Sequence, residues 1–180
     1  MAAPSQGGGM TPNASSFVLT GLGAAVAIAS SLVEPRPILV WNATASTPRG
    51  LYCIAPLTDL QAGDLVLVQP DPTSASLYAE RGYLPLGVPL LKRVGALGGM
   101  RVCEDGGDVT IEGRHVANAL PNDGSGRPMT SWSGCRALSK GEFFALNADA
   151  PTSLDGRYFG PSPLSSAIGR AIPFWTVKER

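Results

Sequence analysis

The chain has 180 residues, enough for one modest domain and an appendage. Its 14 basic and 14 acidic side chains cancel to zero formal charge and are spread along the sequence, so it lacks the basic footprint that nucleic-acid binding requires. Only 16% of residues are charged, against about 25% in an average soluble domain, and 22 glycines and 16 prolines punctuate the chain throughout, which leads us to expect a mainly β fold of short antiparallel strands.

Residues 1–16 are small and polar and read as a flexible tail. Phe17 to Val33 carries no charge and would span about 25 Å as a helix, near the lower limit for a bilayer core. We read it as a retained transmembrane anchor. Two alternatives stay open: a cleavable signal peptide, since Ala27-Ile28-Ala29 resembles a cut site, and a buried core helix. Glu34-Pro35-Arg36-Pro37 ends the segment, and residues 34–180 form the second part of the chain.

Ile38 to Trp41 reads either as the first strand or as the interfacial end of the anchor with Trp41 at headgroup level, and strands are expected at Gly50 to Ile54, Leu65 to Val68, Val88 to Val94, Arg101 to Cys103, Glu142 to Leu146 and Ile168 to Ile172. Val109 to Val116 reads as a hairpin turning at Glu112-Gly113. Pro70 to Gly82 is expected to be a loop, Gly95 to Met100 a turn, and Asn118 to Ser133 a long polar loop.

The cysteines are Cys53, Cys103 and Cys135, with no C-x-x-C among them, and one histidine does not complete a usual zinc set. No metal and no cofactor are expected. An odd count favours one disulfide, Cys103 with Cys135, and a spare thiol, while three separate thiols remain the alternative. His115 lies on the hairpin and reads as a solvated strand-end residue, so a Ser-His-Asp arrangement has little to build on.

Two residues carry candidate chemistry. Ser46 sits in a stretch held by Pro48 and Gly50, either as a positioned nucleophile or as an ordinary turn serine. A serine needs a base, and Lys92 is the candidate. On a strand, Val88, Leu90, Lys92 and Val94 share one face, with Lys92 its only polar member, while Arg93 points the other way. A buried lysine is unusual unless paired or functional. To act as a base near neutral pH its pKa must fall from about 10.4 to about 7–8, which desolvation can supply. The alternatives are a lysine paired with a buried carboxylate, or a strand one residue out of phase.

Three blocks in order give the chain a family likeness: Asn42-x-Thr44-x-Ser46-x-Pro48-x-Gly50-Leu51-Tyr52, Leu91-Lys92-Arg93-Val94, and Ser153-x-Asp155-x-Arg157-Tyr158-Phe159-Gly160. Together they resemble the signal-peptidase superfamily of S26-type Ser/Lys peptidases, in particular its conjugative-transfer, TraF-type branch. The resemblance implies a signal-peptidase-like β domain, Ser46 as nucleophile and Lys92 as general base. It also implies an oxyanion hole from the Ser46 backbone N–H and the Thr44 hydroxyl. Ser153 would orient Lys92, and Asp155 and Arg157 would form a supporting ion pair. The late box departs from the family in opening Asn147-Ala148-Asp149 where Gly-Asp-Asn or Gly-Asp-His is usual, and in having Gly156 in place of a serine.

The implied activity is that of a serine endopeptidase that processes exported precursors with small residues near the cut, a conjugative pilin among them. Its product would be linear, or cyclic if an amine of the same chain replaces water. The resemblance places the anchor in a bacterial inner membrane with the catalytic domain facing the periplasm, and makes transfer-apparatus proteins candidate partners. Two rival readings are a self-cleaving repressor-type Ser/Lys protein, which the apolar Phe17 to Val33 segment disfavours, and a non-enzymatic anchored component of a conjugation or secretion apparatus.

Overall fold

The computed structural model describes residues 21–25, 28, 38–129 and 131–177. The chain divides into two units, Met1–Arg36 and Pro37–Arg180. In the first unit residues 21–25 and 28 are helical; the rest of the Phe17 to Val33 segment, with Ala27 and Ala29 of the candidate cut site, lies outside the described residues, as does the tail at residues 1–16. Among the described residues no helix is long and apolar enough to cross a membrane.

The second unit is mainly β. Its larger sheet is built from β1 (Leu39–Asn42), β2 (Gly50–Ala55), β3 (Leu65–Val68), β4 (Leu90–Leu97), β9 (Glu142–Ala145), β10 (Ser162–Pro163) and β11 (Ala167–Thr176). The strand order is β1-β2-β11-β3-β4-β9-β10, with every pair antiparallel. A second sheet holds β5 (Arg101–Asp105), β6 (Asp108–Ile111), β7 (Arg114–Asn118) and β8 (Gly134–Ala137) in the order β7-β6-β5-β8.

The larger sheet is covered on both faces at its centre. All four residues of β3 are buried, and their alternation divides them. Val66 and Val68 join Val94 and Phe143 in one cluster, while Leu65 and Leu67 join Tyr52, Leu91 and Ala171 in another. Lys92 pairs with Val66 across the β3–β4 ladder and is buried, as is Val94, whereas Arg93 is exposed. A lysine is thereby placed on an apolar face.

Besides the short strand β10, a one-turn helix at Gly156–Phe159 and a β11 that runs on to Thr176, none of them expected, three segments differ from the sequence expectation. Pro70 to Gly82 is not a loop: Pro72–Glu80 is a helix, α1. Asp71 caps it, accepting from the N–H groups of Thr73 at 3.0 Å and Ser74 at 3.1 Å, with Pro72 opening the first turn. The helix buries only Ser74 and Tyr78, so no apolar period announces it, although its Asp-Pro start was readable.

The turn expected from Gly95 begins later, because β4 runs on through Gly95 and Ala96 to Leu97. Position 95 is closely packed: a Cβ there would sit 3.1 Å from Leu146 Cβ and 3.3 Å from Ile111 Cδ1, tighter than ordinary contact. The third difference is β8, which carries no buried residue and therefore no period. It pairs Cys135 directly opposite Cys103 on β5, and those two cysteines form a disulfide, leaving Cys53 as a free thiol.

Candidate active site

The site starts from a tight connection between β1 and β2. Asn42 ends β1 and pairs with Gly50 at the start of β2, so residues 43–49 close a loop over the sheet edge. The loop is fastened from inside by the buried Asn42 carboxamide. Its Nδ2 donates to the carbonyls of Thr44 at 3.0 Å, Thr47 at 2.9 Å and Pro48 at 3.1 Å. Its Oδ1 accepts from the Thr44 N–H at 3.1 Å and the Thr44 hydroxyl at 2.8 Å. Tyr52, from β2, adds a 2.6 Å bond from its hydroxyl to the Pro48 carbonyl. Gly50 admits no side chain, since a Cβ there would stand 2.1 Å from the Trp175 carbonyl of β11 and φ is +150°. Ser46 rides half-buried on this loop, its Oγ 3.4 Å from Thr44 Oγ1.

Lys92 comes from the middle of β4 and is 4% exposed. Its Nζ donates to Ser153 Oγ at 2.8 Å. Burial pulls its pKa down to about 8; the Asp155 carboxylate pushes the other way, and the Arg157 guanidinium adds to the lowering. At that value roughly a tenth of the lysine is neutral at pH 7, against less than one in a thousand for an ordinary lysine.

Ser153 is delivered by the chain between β9 and the short helix α2 (Gly156–Phe159). An enclosed ion pair pins that segment. Arg157 donates to Asp155 through Nε at 2.9 Å and Nη2 at 2.9 Å, and both side chains are almost wholly buried. The same guanidinium donates to the carbonyls of Asn147 at 3.0 Å, Ala150 at 2.7 Å and Pro151 at 3.2 Å. Asp155 also accepts from the backbone N–H of Asn147 at 3.0 Å and from that of Arg157 at 3.2 Å, capping α2. Each charge is thus matched by a partner and by peptide groups, as a buried ion pair requires.

Thr44, Ser46, Lys92, Asp149 and Ser153 all line one cleft of about 430 Å³. No hydrogen bond joins Ser46 to Lys92 among the described residues; each reaches the cleft from its own wall. A second cavity of about 390 Å³ also reaches Ser46 and is bordered by Arg93 and Asn147. His115 is exposed on β7 beside the carboxylate of Asp108, in the other sheet. Among the described residues no group of three His, Cys, Asp or Glu could hold a metal ion.

Three residues of the site were not singled out by sequence reasoning. Asn42 and Tyr52 lie inside the first block but were passed over, because a polar side chain beside a turn gives no sign of how many peptide groups it serves. Asn147 was noted only as a departure from the late box.

A family model described as "Signal peptidase, peptidase S26" matches residues 13–175. The chain belongs to the signal peptidase family, peptidase S26. Within it, the chain falls in the TraF branch. It is 40% identical over 140 residues to a probable conjugal transfer protein TraF of Sinorhizobium fredii, covering 72% of this chain and 73% of that one. It is 36% identical over 146 residues to a conjugal transfer protein TraF of Agrobacterium fabrum, covering 75% and 81%. A plasmid transfer protein TraF of Escherichia coli matches at 29% over 169 residues, covering 89% and 94%. Among solved structures, a signal peptidase I of Enterococcus faecalis matches 63% of this chain and 97% of its own, at 20% identity and a TM-score of 0.38.

Proposed function

We propose that this S26-family chain is a membrane-anchored serine endopeptidase in which Ser46 is the nucleophile and Lys92 its general base. Its substrates are exported precursors with small residues beside the cut, a conjugative pilin or a related transfer-system protein among them. The observation that carries the reading is Lys92: a dry lysine with a pKa of about 8, held by Ser153 and sharing a cleft with the half-buried Ser46.

The steps follow from those groups. Ser46 Oγ attacks the scissile carbonyl carbon as neutral Lys92 takes its proton. The oxyanion is met by the Ser46 N–H and by the Thr44 hydroxyl, which must turn its hydrogen from Asn42 Oδ1 to the new oxygen. Collapse breaks the peptide bond, and the leaving amine takes the proton back from Lys92. Water then gives a proton to Lys92 and attacks the acyl carbon; the bond from that carbon to Ser46 Oγ breaks, Lys92 returns the proton to Ser46 Oγ, and an acid is released; an amine of the same substrate chain in place of water gives a ring. The scheme calls on no cofactor.

Exposed aromatics support placement at a membrane surface. Trp41 on β1 and Trp175 on β11 are 56% and 55% exposed and stack with ring centroids 5.9 Å apart, beside Phe174 at 71%. Tryptophan pairs of this kind favour the headgroup level of a bilayer. With Phe17 to Val33 as anchor, residues 34–180 would face the periplasm of a bacterial inner membrane, where precursors and transfer-apparatus proteins meet.

The test is Ser46→Ala and Lys92→Ala made separately in cells that export the precursor. Both variants are expected to accumulate unprocessed precursor, and normal processing in either one overturns the reading. Carbonate extraction addresses the anchor: the chain is expected to stay with the membrane, and release into the supernatant argues against retention.

A further inference from the structure

β9 ends at Ala145, and the chain then leaves the sheet to form the loop that brings Ser153 back to Lys92. The last main-chain bond to β4 is from Leu146 N–H to the Arg93 carbonyl at 2.9 Å. Leaving there strips partners from two peptide groups of β4, the N–H of Arg93 and the carbonyl of Leu91, which flank Lys92. Such groups are not left unpaired inside a protein.

The Asn147 side chain supplies both partners. Its Oδ1 accepts from Arg93 N–H at 2.9 Å, and its Nδ2 donates to the Leu91 carbonyl at 3.3 Å. A carboxamide has the acceptor and donor of a peptide unit, so it continues the ladder after the main chain has gone. Nδ2 also donates to Thr47 Oγ1 at 3.3 Å, and Thr47, itself buried, follows Ser46. The backbone of Asn147 meanwhile bonds Asp155 and Arg157. One residue, 3% exposed, thus touches the base strand, the nucleophile loop and the ion pair.

Resting on the Ser46–Lys92 reading of the site, we propose that Asn147 is a positioning residue that ties the Ser46 loop to the Lys92 strand and so sets the separation of the two reacting groups. The glycine that the family resemblance leads one to expect at this position would offer no side-chain donor or acceptor. Ala would drop all three side-chain bonds. Asp would keep the bond from Arg93 but turn an oxygen toward the Leu91 carbonyl, and would add a negative charge that favours the Lys92 ammonium.

The experiment uses the full chain in detergent and 4-nitrophenyl acetate as the acylating probe. It reads nitrophenolate release against pH, with the mass of the protein reporting acylation of Ser46. Asn147→Ala is expected to slow acylation about 10- to 100-fold, the scale of an ångström of misplacement. Thr47→Val removes only the link to the nucleophile loop, and is expected to slow acylation about threefold or more, with the acid limb of the pH profile unmoved and a smaller loss of melting temperature than Asn147→Ala. The double variant should be no slower than Asn147→Ala, because both remove one connection. Asn147→Asp should move the acid limb of the pH profile upward.

Thr47→Val acylating at the wild-type rate overturns the proposal, as does a loss in the double variant equal to the product of the single losses. Ser46→Ala and Lys92→Ala serve as controls. If both are inert while Thr47→Val is fully active, the positioning role alone fails. If either control acylates normally, the Ser46–Lys92 reading fails and takes this inference with it.

Discussion

Ser153 Oγ accepts a 2.8 Å hydrogen bond from Lys92 Nζ, 61 positions earlier in the chain, at a contact closed to solvent. Among the described residues it is the hydrogen-bond partner of the amine, so it fixes where Nζ points. Ser153→Ala should lower the acylation rate of Ser46 about 10- to 100-fold and cost roughly 1–3 kcal/mol of stability, the penalty for a buried donor without a partner. Acylation kinetics and urea unfolding check both, and a fully active variant would rule out an orienting role.

Activity should follow the neutral form of Lys92. With a pKa of about 8, the rate is expected to rise through that pH and level off above it. Removing the Asp155 charge, which holds the value up, should move the limb downward in a variant that still folds. A limb near pH 10 would mean that the amine is not desolvated in solution.

Burying Lys92 also carries a stability signature. Its pKa is about 8 when folded and about 10.4 when unfolded. Between those values the unfolded chain binds the proton that the folded chain lacks, so stability rises with pH across this window, by roughly 3 kcal/mol in all. Below pH 8 the ammonium is held in a dry site at full cost. Lys92→Met is therefore expected to melt higher than the wild type at pH 7, with the gap closing toward pH 10. A lower melting temperature at pH 7 would contradict this.

Asp155→Asn should be far more damaging than a surface charge change. It leaves the Arg157 cation enclosed without a counter-ion, at a cost of roughly 3–5 kcal/mol. Urea midpoints measure this, and a shift like that of an exposed pair, below about 1 kcal/mol, would show the pair to be solvated.

The chain has three tryptophans, Trp41, Trp132 and Trp175. Trp132 is half-buried against Phe144, with its indole N–H on the Gly156 carbonyl at 2.8 Å. In liposomes made with brominated lipids, wild-type fluorescence should be quenched, and the Trp41→Phe, Trp175→Phe double variant should resist quenching. Equal quenching in both would remove the aromatic pair from the membrane surface.

Class and local phase were legible in the sequence. Short apolar runs between glycines and prolines specify strands, and the alternation through Leu90, Lys92 and Val94 requires only a two-residue period, which is a local property. The likeness carried by three short blocks was likewise written in the residues. Helix α1 escaped because two buried residues make no period, and β8 because none of its residues is buried; its place comes from a neighbour across the sheet.

Tertiary structure alone decided the rest. Whether a lysine on a strand is dry depends on what covers the strand, and the cover over Lys92 arrives from residues 147–157, more than fifty positions away. Asn147 looks like an ordinary polar residue until the main chain leaves the ladder and its carboxamide takes up the bonds left behind. Burial and hydrogen bonding are sums over neighbours in space, and a linear string carries no record of which neighbours those are.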